Sequence, residues 1–141
     1  MKKEEYIQSL KKSKYKITPQ RIGVIDYLNR QPGHFTAEDV YRSVKKVETT
    51  ITQATVYNVL RVLKNSGAIT SFEADGQTWF ETNLEFHGNL VCKSCGKIED
   101  IQLDPQSIKT SEVLSERRID SATLIMSGLC LECSRKQSLN H

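Results

Sequence analysis

The chain has 141 residues, 38% of them hydrophobic and 26% charged, which suffices for one compact domain or two small ones and exceeds what a disordered chain shows. Its net charge is +3, and no apolar run approaches the roughly 18 residues that span a bilayer. The opening Met1-Lys2-Lys3-Glu4-Glu5 lacks the apolar stretch of a secretory signal, so a soluble cytoplasmic protein without membrane contact is expected. The charge is unevenly spread. Residues 1–70 hold 13 Lys+Arg against 6 Asp+Glu, and residues 71–141 hold 7 against 11. A basic half of this kind suits a polyanion.

In chain order, residues 3–12 form a short lysine-rich helix. Thr18 is an N-cap with Pro19 at the first helical position, and Ile22, Val24, Ile25 and Leu28 then make a helical stripe ending near Asn29. Pro32-Gly33 breaks the chain. Thr36 caps a third helix with Val40, Tyr41 and Val44 inward, and Thr52 caps a fourth over 53–65. That helix turns Val56, Val59, Leu60 and Leu63 inward, and Gly67 stops it. Two β-prone runs, 68–72 and 77–81, flank Asp75-Gly76, a hairpin signal. This order of helices and hairpin is that of a winged helix-turn-helix.

The outer face of the 53–65 helix carries Gln53, Thr55, Tyr57, Asn58, Arg61 and Lys64 and no carboxylate. Such side chains hydrogen-bond base edges and phosphates in a major groove. Lys14, Lys16 and Arg21 would add phosphate or minor-groove contacts nearby.

The second half opens at a polar hinge, residues 82–86. Strands are expected over 86–91, 97–103 and 122–126, with a helix from Pro105 to about Arg117 burying Ile108, Val113 and Leu114. Its four cysteines form two CxxC pairs, Cys92 with Cys95 and Cys130 with Cys133. Two such turns complete a tetrahedral four-sulfur shell, which suits zinc. A redox dithiol, an iron–sulfur cluster or plain core cysteines are the alternatives. The strand–helix–strand between the pairs makes a small α/β unit stapled by its metal, with a free sheet edge that a second copy could extend. The fold class is α+β. Residues 1–81 form a winged-helix DNA-binding domain, and residues 87–141 a dimerisation domain with a structural zinc on the four cysteines, one per subunit.

TPQR at 18–21, HFTAEDVY at 34–41, ATVYNVLRVLKNSG at 54–67 and HGNLVCKSCGKIEDI at 87–101 resemble the ferric uptake regulator family, as does the closing Cys130-Leu131-Glu132-Cys133. The resemblance implies a homodimeric metal-sensing transcription factor, usually a repressor, on double-stranded DNA with an inverted-repeat operator. It implies an interdomain regulatory site for Fe(II) or Mn(II) drawn from His34, Glu81, His87, Asn89 and Asp100, with His34 opening the third helix and Asp100 ending its strand. A mixed imidazole and carboxylate shell suits such metals. The family usually has histidine where Asn89 stands, so a degenerate site with another signal, or none, is one alternative. A further family metal site would need donors where this chain has Phe86, Gly88 and Ala122, and is expected to be absent. His141 is expected to be a frayed tail. Asn58 and the run Ile98-Glu99-Asp100 look like the peroxide-stress (PerR) branch, whereas Glu81 looks like the iron-responsive branch. No catalytic set is apparent, so no enzyme is expected; a zinc-ribbon thiol redox protein or RNA-binding module is the alternative of another class.

Overall fold

The computed structural model describes residues 2–30, 33–104, 116–120 and 122–139. The chain divides into two units, residues 1–84 and 85–141. Among the described residues no helix is long and apolar enough to cross a membrane.

The first unit runs α1 (Lys3–Lys12), α2 (Pro19–Arg30), β1 (His34–Phe35), α3 (Ala37–Lys45), α4 (Gln53–Asn65), β2 (Thr70–Ala74) and β3 (Gln77–Glu81). Glu4 and Glu5 lie in the first turn of α1 and Lys11 and Lys12 in its last, each opposite the dipole charge it favours. Thr18 Oγ1 accepts the Arg21 N–H at 3.3 Å ahead of Pro19. At α3 a capping box closes both ways: Thr36 Oγ1 accepts the Asp39 N–H at 3.1 Å, and Asp39 Oδ2 accepts the Thr36 N–H at 2.9 Å. Thr52 caps α4 through the Thr55 N–H at 3.1 Å. Gly67 follows that helix at φ +80°, a left-handed position that glycine adopts without a Cβ penalty.

Val56, Val59, Leu60 and Leu63 of α4 are all fully buried and join Tyr6, Leu10, Val24, Ile25, Leu28, Val40 and Phe35 in one core. Ile22, expected in the stripe of α2, is half-buried, and Tyr27 takes a buried place instead. A Cβ on Gly23 would stand 2.9 Å from Val44 Cγ1, so glycine sets how closely α2 approaches α3. Asp75 and Gly76, at φ +52° and +73°, make the two-residue turn joining Ala74 to Gln77.

The sheet of this unit has three strands in the order β1-β3-β2, all antiparallel. The third is β1, which hydrophobic pattern does not foretell because two residues have no period. It corrects one expectation: His34 does not open α3 but lies in β1, opposite Glu81.

The second unit holds β4 (His87–Cys92), β5 (Ile98–Gln102), β6 (Leu124–Gly128) and α5 (Leu131–Leu139). The order is β5-β4-β6, with β4 antiparallel to β5 and parallel to β6. A parallel neighbour cannot be joined by a tight hairpin, unlike the antiparallel β4 and β5. The helix expected from 105 falls mostly on 105–115, outside the described residues, as does His141. Strand β6 begins two residues later than expected, and Asp100 stands in the middle of β5 rather than at its end. Helix α5 is an addition to the elements expected from sequence. A Cβ on Gly88 would meet Met126 Cε at 3.0 Å and Leu103 Cδ1 at 3.3 Å, which marks the tight packing at the centre of this sheet.

Leu60 is fully enclosed in the core of the first unit. Leu60→Ala should therefore cost about 2–5 kcal/mol of that unit's stability, the range for a buried leucine that leaves a cavity. Chemical denaturation followed by circular dichroism measures it, and a loss below about 1 kcal/mol would contradict the packing described.

Candidate metal centre and nucleic-acid interface

Strand β4 ends at Cys92 and turns through Cys95 to Gly96, which sits at φ +77° and donates its N–H to the Cys92 carbonyl at 3.0 Å. The Cys92 N–H donates to the Lys97 carbonyl at 2.9 Å, closing the knuckle, and the Lys93 N–H donates to the Gly128 carbonyl at 2.7 Å. That last bond ties the end of β4 to the end of β6, two residues before Cys130. Cys130 then acts as the cap of α5: its Sγ accepts the Cys133 N–H at 3.5 Å and its carbonyl accepts the Ser134 N–H at 2.9 Å. The helix thus directs its positive end at the sulfurs.

The four cysteine sulfurs lie within 4.8 Å of one another and none is in a disulfide. Two sulfurs each ~2.3 Å from a tetrahedral zinc sit about 3.8 Å apart, and Cys95 Sγ stands 3.8 Å from Cys130 Sγ. The donor set and its spacing fit zinc, and they commit all four thiols to one centre, which a redox dithiol would not. Backbone N–H groups of Cys95 and Cys130 aimed at the Cys92 sulfur lower its titration to about 6. Hydrogen bonding with the Cys130 sulfur pushes Cys133 up to about 12. The Cys133 thiol therefore keeps its proton unless a cation takes that proton's place.

The other candidate ligands form one group in each unit. In the first, His34 Nε2 lies 3.2 Å from Glu81 Oε2, and the two side chains are only 10% and 7% exposed. Glu81 Oε1 accepts the Thr70 hydroxyl at 3.1 Å, and the His34 ring meets Phe72 edge-on with centroids 5.9 Å apart. In the second, His87 Nδ1 is 2.6 Å from the Glu85 carbonyl oxygen and Nε2 is 3.6 Å from Asp100 Oδ1. With its Nδ1–H donated to that carbonyl, a neutral His87 turns the lone pair of Nε2 towards the carboxylate. That approach is favourable only with a proton or a metal ion between them. Asn89 is 1% exposed, sits two residues from His87 and pairs with Asp100 in the ladder, so the three share one face of the sheet. Sequence pattern names these ligands but misses their supports, the Thr70 hydroxyl and the Glu85 carbonyl. A signal for α5 is present in Glu132 and Lys136, an acid in the first turn and a base in the last.

On α4, Gln53, Tyr57, Asn58, Arg61 and Lys64 are exposed and Thr55 half-buried, all away from the core row. Tyr57 is 53% exposed, and its ring stands edge-on to Phe80 of β3 at 6.5 Å, so the hairpin backs the helix. Arg61 Nη2 lies 3.5 Å from Asn58 Oδ1. A groove of about 170 Å³ between α4 and the hairpin is lined by Tyr57, Arg61, Lys64, Glu73 and Thr78. Lys14 and Lys16 are exposed. Arg21 is half-buried and engaged within the protein: its guanidinium lies 4.4 Å from the Tyr15 ring centre and Nη1 donates to the Lys16 carbonyl at 2.7 Å.

Cys92→Ser or Cys130→Ser should abolish bound zinc and unfold residues 85–141, read as lost metal content and lost circular dichroism. Retention of both zinc and fold would refute the centre. In the parent protein the thiols should resist alkylation until a chelator is added. The fold lowers Cys92 from 9.0 to about 6, so the stability linked to its thiolate is complete above pH 9 and lost as pH falls through about 6. Zinc binding adds in the same direction. Acidification through that range should therefore release zinc to a colorimetric chelator, and release on raising the pH instead would contradict the assignment.

A family model for the ferric uptake regulator family matches residues 12–127. The peroxide operon regulator of Bacillus subtilis (strain 168) is 32% identical over 139 residues, covering 96% of this chain and 95% of that protein. The peroxide-responsive repressor PerR of Staphylococcus aureus (strain USA300) is 34% identical over 138 residues, covering 94% and 92%. Among solved structures, the Helicobacter pylori ferric uptake regulator, a protein with three functional metal binding sites, matches with a TM-score of 0.76 at 25% identity over 95% of each chain. The chain belongs to the ferric uptake regulator family, metal-dependent transcriptional regulators that bind DNA and act as dimers and are not enzymes.

Proposed function

We propose that this protein is a cytoplasmic peroxide-responsive repressor that binds an inverted-repeat operator as a homodimer. Residues 1–81 form its DNA-binding winged-helix domain, 82–86 its hinge and 87–141 its dimerisation domain. Gln53, Thr55, Tyr57, Asn58 and Arg61 read the major groove, while Lys14, Lys16 and Arg21 serve the backbone. The homodimer is consistent with the second unit, where Ile119, Leu124, Ile125 and Leu131 are exposed although apolar.

One observation carries the regulatory reading. In each unit an imidazole Nε2 is turned to a carboxylate oxygen, His34 to Glu81 and His87 to Asp100, an arrangement that a cation completes. We assign His34, Glu81, His87, Asn89 and Asp100 to one regulatory Fe(II) or Mn(II), with Asn89 contributing an amide oxygen. Ligands from two domains make metal occupancy fix the angle between them, and with it the spacing of the two reading helices in the dimer. Peroxide then acts once per molecule. Fe(II) held there would supply the redox chemistry, by which one oxygen atom of peroxide would end on the His34 or His87 ring and the other would leave as water. The names of the Bacillus and Staphylococcus relatives support this signal. A further metal site of the family is not expected here, because Phe86, Gly88 and Ala122 offer no side-chain donors.

Glu81 favours a second reading, an iron-responsive regulator in which Fe(II) is a co-repressor and no ligand is oxidised. The two readings separate in one experiment. Operator binding is measured on protein loaded with zinc alone, with Mn(II) and with Fe(II), and the Fe(II) form then receives a small excess of peroxide. The expected result is metal-dependent binding that peroxide abolishes in the Fe(II) form alone, with one oxygen atom gained on the peptide bearing His34 or His87. Metal-dependent binding that peroxide leaves intact would establish the iron-responsive reading instead. Equal binding by the zinc-only protein would refute both and mark the site around Asn89 as degenerate. His87→Ala should keep the fold, measured by circular dichroism, and lose the metal response.

A further inference from the structure

Helix α1 closes in an unusual way. The Tyr15 N–H donates to the Leu10 carbonyl at 2.9 Å, the Lys14 N–H donates to the Lys11 carbonyl at 3.0 Å, and Lys14 itself sits at φ +61°. This is a Schellman closure, whose left-handed position is usually glycine. A lysine there is strained by its Cβ, and strain of this kind persists where the surroundings enforce it. Tyr15, next in sequence, packs its side chain against the core of the first unit, while Lys14 and Lys16 on either side of it are exposed.

Arg21 is equally out of place. It stands in the first turn of α2, where the helix dipole disfavours a cation and no acidic residue offsets it. Its guanidinium covers the Tyr15 ring at 4.4 Å and donates to the Lys16 carbonyl at 2.7 Å, while its backbone N–H is held by Thr18 Oγ1 at 3.3 Å. Gln20 Nε2 of the same turn donates to Thr50 Oγ1 at 2.8 Å, two residues before the cap of α4. The helix closure therefore fixes the backbone before Tyr15, and the guanidinium, seated on the Tyr15 ring, fixes the Lys16 carbonyl after it. The same turn of α2 is anchored beside the helix that reads DNA. A salt bridge of Arg21 to a phosphate would draw the guanidinium off both partners.

We propose that Tyr15 and Arg21 are a positioning pair that holds Lys14 and Lys16 at the spacing at which both neutralise phosphates of duplex DNA. The inference rests on the reading of those two lysines as phosphate contacts. It reassigns Arg21 from a contact to a support, and it gives an uncharged residue, Tyr15, a part in an electrostatic interaction.

The test uses the full-length zinc-loaded protein and a mixed-sequence DNA duplex, since phosphate contacts do not depend on sequence. The readout is the slope of log affinity against log salt, to which each duplex phosphate contact contributes about 0.9. Lys14→Gly and Lys16→Ala should each make the slope shallower by about 0.9 per protomer, and Lys14→Gly should also raise the melting temperature by relieving the strained position. Tyr15→Leu and Arg21→Lys leave the net charge unchanged, yet each should flatten the slope by a comparable amount, while Tyr15→Phe, which keeps the ring face, should behave as the parent. Parent-like slopes for Tyr15→Leu and Arg21→Lys beside flattened slopes for the lysine variants would overturn the positioning role and leave the lysine contacts standing. Parent-like slopes for the lysine variants would overturn both. Should Tyr15→Leu fail to fold, Arg21→Lys carries the same comparison.

Discussion

Four sulfurs crowded within 4.8 Å of one another set the terms for the whole second unit. Its sheet is small, α5 buries none of its side chains, and among the described residues only Asn89, Val91, Cys92 and Cys130 are deeply enclosed side chains of its strands and knuckles. A cross-link among these elements lowers the conformational entropy that folding must offset. The cysteine centre is that cross-link. It joins the end of β4, the turn into β5, the end of β6 and the start of α5, so nearly every element of the unit meets at it. Backbone N–H groups and the positive end of α5 are arranged to favour thiolates there, while the sulfurs' own proximity opposes having more than a few. The resolution of that conflict is a divalent cation.

The same conflict appears in milder form elsewhere. His34 beside Glu81, and His87 beside Asp100, each place an imidazole nitrogen against a carboxylate oxygen in a partly enclosed setting. The Glu85 carbonyl settles which nitrogen of His87 carries its proton, and the Thr70 hydroxyl holds the second oxygen of Glu81. These supports orient the donors before any ion arrives. The structural centre and the proposed regulatory residues thus differ in the softness of their donors, sulfur in one and imidazole with oxygen in the other, which separates the metals they prefer.

Much of this is legible in the residues. Thr18, Thr36 and Thr52 each cap the helix they precede, Asp75-Gly76 makes the hairpin turn, and the paired cysteines converge. Each of these is a local signal whose physics is complete within a few residues. What sequence pattern misses is of the opposite kind. Strand β1 is two residues long and exists only because β3 lies beside it, so no periodicity reveals it, and His34 is assigned to the wrong element in consequence. Helix α5 has no apolar stripe, since Leu131 and Leu139 are both exposed, and only its terminal charges betray it. Arg21 is legible as a cation but not as one already engaged, because its partners, the Tyr15 ring and the Lys16 carbonyl, are set by the closure of α1.

The short pairing of β1 with β3 has a mechanical side. His34 is bonded into the ladder directly opposite Glu81, Phe35 follows as a fully enclosed core residue stacked on Phe80, and Thr36 then caps α3. Between the imidazole and the first turn of that helix there is no glycine, no exposed loop and no residue free to rotate. A load placed on His34 is therefore borne at once by the wing strand on one side and by α3 on the other. The element behaves as a short strut of high stiffness, in which displacement at one end is not absorbed before it reaches the other.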